Sequence, residues 1–164
     1  MRFDAPVLAA TILAVAATPP PVPVATLTAP SGWTRQELFG KFAPGMVAIY
    51  NDISRRSADF IPKIFLMQER AESDSLRESV HDALQAFSET GYRIIVNRPQ
   101  RVCSGHRPGW LITYVKPGTE PLTIEQTRLL ANDVLYTATY VRLSAQPEDP
   151  NARRALGTLC LKTP

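Results

Sequence analysis

Asn132-Asp133 lies between two long segments, Leu122–Ala131 and Val134–Leu143, both rich in β-branched, aromatic and aliphatic residues. A two-residue hairpin loop needs left-handed backbone at both of its central positions, and Asn and Asp tolerate that conformation better than other non-glycine residues. The turn therefore pins the register of the hairpin, and a one-residue slip would send every side chain to the opposite face. In the second arm Tyr136, Ala138 and Tyr140 share one face, and Leu135, Thr137, Thr139 and Val141 share the other. Strands that are largely apolar on both sides belong in a sheet covered on both sides.

The remaining elements follow from capping, periodicity and turn residues. Ser75 and Glu78 form a capping box ahead of a helix over 76–90, in which Leu76, Val80, Leu84 and Phe87 make one apolar stripe. Gly91 stands where a left-handed C-terminal cap is wanted. Strands are expected over 25–29, 46–51, 60–69, 92–96 (resumed at 101–103 beyond Pro99) and 110–116, with Trp110, Ile112 and Tyr114 on one face. Pro62 should keep the beginning of its strand outside the regular ladder. Thr34–Phe42 reads as a short helical turn, with Thr34 as its cap and Glu37 three residues later. Pro147 or Pro150 opens a last helix that carries Ala155, Leu156, Leu159 and Cys160. The sum is an α+β fold, an antiparallel sheet of about six strands sandwiched by a middle helix and a C-terminal helix.

At 164 residues, the chain is the length of one ordinary domain. Eighteen basic against fifteen acidic side chains give a net charge of +3, too mild a field to argue for nucleic acid. The amino end reads as an address label. Arg2, partly offset by Asp4, precedes an apolar run over 7–17 and small residues suited to cleavage. That run is too short for a bilayer, which needs roughly 20 residues, so no stable membrane span is expected after cleavage. The organisation expected is a signal peptide over 1–17, a Pro-rich extended leader over 18–24 and one domain over 25–164, secreted or periplasmic.

The bend Leu27-Thr28-Ala29-Pro30-Ser31-Gly32-Trp33, followed by strands, a helix, more strands with a long Tyr136–Tyr140 segment and a last helix, resembles the PsbP-like family. That family is named for an extrinsic subunit of photosystem II, and a Pro-x-Gly-Trp bend opens the domain in many of its bacterial members. The resemblance implies an antiparallel sheet sandwiched by helices over about 25–161 and a non-catalytic accessory or binding role. It transfers no functional residue.

Chemistry-bearing residues are few. Cys103 and Cys160 are the only cysteines, and an exported chain with an even count is expected to form one disulfide. Closing the intervening 57 residues is worth about 4 kcal/mol in the chain-entropy picture. Cys103-Ser104-Gly105-His106 also has a spacing that can hold a metal, with Cys160 and His81 as conceivable further ligands, or that can pair a thiol nucleophile with a base. No nucleophile elbow, phosphate loop, His-Glu-x-x-His or calcium loop occurs. Glu69 and Glu72 have the composition of a glycosidase dyad but read first as surface charge. Arg93, Arg98, Arg101, His106 and Arg107 crowd one strand and its turn, a candidate patch for an anionic ligand or a charged strand edge. Tyr114, Tyr136 and Tyr140 could line a pocket, though cross-strand packing is the simpler expectation.

The reading favours an exported, non-enzymatic binding or accessory protein of the cell envelope, without cofactor or nucleic acid. Its partner would be an unidentified protein or small ligand. The alternatives are a small envelope hydrolase with a site around His106, a metal-binding protein using Cys103 and His106, and a purely structural envelope protein.

Overall fold

The computed structural model describes residues 22–38, 43–57 and 59–162. The expected signal peptide over 1–17 and most of the Pro-rich leader lie outside these residues. The elements in chain order are β1 (Val24–Thr26), β2 (Thr34–Gln36), β3 (Met46–Asn51), β4 (Lys63–Arg70), α1 (Leu76–Glu89), β5 (Arg93–Val102), β6 (Arg107–Lys116), β7 (Leu122–Ala131), β8 (Val134–Leu143), α2 (Pro150–Gly157) and β9 (Cys160–Lys162). Seven strands form one antiparallel sheet in the order β2-β3-β4-β8-β7-β6-β5, and β1 pairs with β9 in a separate two-stranded sheet.

Local chemistry accounts for the sharpest features. Asn132 and Asp133 have φ of 52° and 58°, the left-handed pair the β7–β8 hairpin requires, with Ala131 paired to Val134 across the turn. The Ser75 side chain accepts the amide hydrogen of Glu78 at 3.2 Å, capping α1. At the other end Gly91, with φ of +76°, permits a full C-terminal motif. Its amide donates to the Ser88 carbonyl, that of Tyr92 donates to Phe87, and the Phe87 and Tyr92 rings stack.

Cross-strand register separates two cores. On one face Ile64, Leu66, Leu129, Tyr136, Ala138 and Tyr140 pack under α2, through Ala152, Ala155 and Leu156, and under the β1–β9 ribbon. On the other face Ile112, Tyr114 and Ile124 meet Val80 of α1, with Leu76, Leu84 and Phe87 beside it. A buried Leu or Ile such as Leu156 or Ile64 contributes roughly 1.5–3 kcal/mol over its exposed state. The Tyr136 hydroxyl donates to the Pro23 carbonyl at 2.9 Å, so the end of the Pro-rich segment is anchored to the larger core.

Three local expectations are corrected. Thr34–Gln36 is a strand, not the start of a helical turn: it pairs with the open edge of β3, and that ladder outweighs the local capping signal. The rest of the expected turn lies partly outside the described residues. β5 runs unbroken through Pro99, because an edge strand needs hydrogen bonds on one side only. Leu159 and Cys160 lie beyond α2, which Asp149 caps and Pro150 opens; Cys160 instead begins β9, where it pairs with Thr26.

Candidate functional site

The anticipated arginine patch divides between the two faces. Register places Arg93 opposite Val115, Arg98 opposite Leu111 and Arg107 opposite Val102, all on the α2 side of the sheet. Arg101 pairs with Pro108, on the α1 side, where its Nε–H donates to the Gly105 carbonyl at 2.9 Å. His106 is exposed in the turn between β5 and β6. The same turn, with Cys103 and Ser104 at φ of 53° and 55°, brings Cys103 against Cys160, their Cα atoms 4.6 Å apart and their sulfur atoms within bonding distance. The link therefore runs from the end of the edge strand β5 to β9, rather than to the last helix on which the sequence places Cys160. A cysteine so joined has no thiolate to offer a metal or a substrate. Among the described residues no group of three or more His, Cys, Asp or Glu is placed to hold a metal ion. Tyr136 and Tyr140 are core residues, and Tyr114 stacks with Phe87 and Tyr92 at 4.2 and 5.6 Å between ring centres.

A concave site opens elsewhere, between α1 and the sheet. A cleft of about 310 Å³ is lined by Glu69 and Arg70 at the end of β4, Glu72 and Ser73 in the following loop, Ser79, Asp82 and Ala83 on α1, and Arg128 and Leu135 on β7 and β8. Arg128 lies on an interior strand, paired with Trp110 on one side and Thr137 on the other, with α1 across its face. Its Nη1 donates to the Ser79 carbonyl at 3.3 Å, and its Nε and Nη2 donate to Gln126 Oε1 at 3.4 and 3.2 Å. Gln126 in turn donates to the Tyr114 hydroxyl at 3.3 Å. Sequence reasoning singled out Glu69 and Glu72 but missed Arg128, Asp82 and the cleft they share.

The electrostatics of this cleft are unusual for a surface groove. The guanidinium of Arg128 rests on neutral acceptors, and none of the three ion pairs among the described residues includes it. Burial lowers its pKa from the ordinary arginine value, while the nearby Tyr114 and Glu69 act in the opposite direction. Tyr114 is pushed up to about 12, chiefly by burial, with Arg128 opposing the shift and Tyr92 adding to it. Glu69, Glu72 and Asp82 supply negative charge around the opening, and the Ser73 hydroxyl donates to Asp82 Oδ2 at 3.0 Å. The arrangement can bind and orient a charged molecule.

No family model and no curated protein matches the sequence. Solved structures do match. One is a protein of Bacteroides thetaiotaomicron VPI-5482, with a TM-score of 0.54 and 8% identity over 84% of this chain; the chain spans 45% of that protein's length. Another is the cyanobacterial PsbP protein CyanoP from Synechocystis sp. PCC 6803, with a TM-score of 0.51, 11% identity, and coverage of 73% of this chain and 75% of that one. The chain is similar to PsbP in fold. At these identities the PsbP-like likeness extends to the backbone architecture and transfers no residue of the cleft. Among the described residues no helix is long and apolar enough to cross a membrane.

Proposed function

We propose that this chain is an exported, non-enzymatic binding or accessory protein of the cell envelope. The observation that carries the reading is the Cys103–Cys160 pair: two side chains far apart in sequence meet at bonding distance between the β5–β6 turn and β9. Such a cross-link persists in oxidising compartments and is rare in the cytosol. The apolar run over 7–17 supports the reading as a cleavable leader. The PsbP-like fold supports an accessory role, and the cleft beside Arg128 gives the domain a place to hold a small ligand. Secretion or residence in the periplasm follows from the same reading.

Intact-mass analysis of native protein from the envelope fraction tests it. The expected species begins after residue 17 and gains two hydrogens on reduction. A native species that retains the leader and carries two free thiols would overturn the proposal.

A further inference from the structure

The cleft between α1 and the sheet carries both signs of charge, and they are not used up on each other. Arginine has five N–H donors. Arg128 directs three of them to Gln126 and Ser79, which leaves two without an acceptor among the described residues. No carboxylate stands within ion-pair distance of it among those residues, although Glu69, Glu72 and Asp82 all line the same cleft. A half-buried guanidinium on neutral partners is a costly arrangement, relieved when a carboxylate arrives with two oxygens for its planar fork.

We propose that this cleft binds a small zwitterion of the amino-acid type, with its carboxylate on Arg128 and its ammonium among Glu69, Glu72 and Asp82. A simple anion would meet three carboxylates on entry. A simple cation would leave the Arg128 donors unpaired and meet the positive charge of Arg70 as well. A molecule bearing both groups on a short spacer satisfies each set. Leu135 and Ala83 add an apolar wall for an aliphatic spacer or side chain. The volume, about 310 Å³, lies at the small end of ligand pockets. The assignment deepens the binding-protein reading, and the two fail separately: export is judged on native material, ligand binding on the purified domain.

Isothermal titration with L-leucine, L-glutamine and γ-aminobutyrate, each beside its N-acetyl and its carboxamide derivative, tests the assignment. At least one of the three should bind saturably. Removing either charge from that ligand should weaken it about tenfold or more. Arg128→Gln should abolish the preference for the free acid over the amide. Glu72→Gln and Asp82→Asn, both at exposed positions that leave the core intact, should abolish the preference for the free amine over the acetylated form. These two variants keep the test decisive if Arg128→Gln does not fold. No saturable binding by any of the three would overturn the proposal. So would an amide that binds as well as its parent, which would make the cleft a cation site, or an acetylated form that does, which would make it an anion site.

Discussion

Glu125 and Arg128 project from the same strand, β7, to opposite faces of the sheet, and they have been treated differently. Glu125 is fully buried on the α2 side, where its Oε2 accepts the Nε–H of Arg153 at 2.9 Å; Arg153 also reaches Glu148 at 3.0 Å. Burial alone would lower the pKa of Arg153, but its hydrogen bond to Glu125 and the charges of Glu125 and Glu148 raise it overall. Arg128, on the α1 side, has neutral hydrogen-bond partners among the described residues and an adjoining cleft. The α2 face is closed three times over, by the helix, by the β1–β9 ribbon and by the Cys103–Cys160 link. Among the described residues the α1 face is covered where Leu76, Val80, Leu84 and Phe87 meet the sheet. A charge paired within the chain, Glu125 with Arg153, marks the face that holds the fold together, although the other Glu125 oxygen, Oε1, is buried without a hydrogen-bond partner among the described residues; a charge without an ionic partner there, Arg128, marks the face open to a ligand.

The contrast can be broken most forcefully at the link. Cys103→Ser or Cys160→Ser should cost about 4 kcal/mol under oxidising conditions and almost nothing in reductant, read by denaturant unfolding. Equal stability of variant and parent in oxidant would show that the α2 face does not depend on the cross-link. The ion pair comes next. Arg153→Ala strands a fully buried carboxylate and should cost about 3 kcal/mol. Glu125→Gln should cost less, because the half-exposed Arg153 can turn to solvent and to Glu148. A reversed ranking would mean that Glu125 is not the dependent partner.

A smaller effect belongs to the α1 face. Tyr114 titrates near 10 when unfolded and about 12 when folded. Below pH 10 both states keep the proton, and its contribution to stability is fully present. As the pH climbs from 10 to 12 the unfolded chain ionises first, and that contribution is lost. Tyr114→Phe should therefore flatten part of the alkaline loss of stability, measured by urea unfolding at a series of pH values; an unchanged slope would contradict the burial of its hydroxyl. The smallest effect is expected from Arg98→Glu and Arg101→Glu, exposed positions on opposite faces, each within about 0.5 kcal/mol of the parent.

Much of the architecture was legible in the sequence because its cues are local. Asn132-Asp133 dictates its turn, Ser75 with Glu78 dictates a helix start, and Gly91 dictates the end. β2 was not legible, since three exposed residues become a strand only when the edge of β3 is there to receive them. Cys160 was misplaced for the same reason: its strand exists through pairing with β1, well over a hundred residues away. Arg128 was hidden because an arginine in an alternating strand reads as a solvent-facing residue, and nothing local shows that α1 crosses above it. One signal was present. Glu125, Gln126 and Arg128 put polar groups on both faces of a strand whose flanking sequences are apolar enough to make it central.

The most direct measurement is the side-chain guanidinium NMR spectrum of the purified domain during titration with whichever of L-leucine, L-glutamine and γ-aminobutyrate binds it most tightly. The account predicts a protected Arg128 Nε–H, held by Gln126, whose signal and whose Nη signals shift on adding that zwitterion and stay put with its N-acetyl derivative. An Arg128 signal in fast exchange with water, or one indifferent to both compounds, would contradict it.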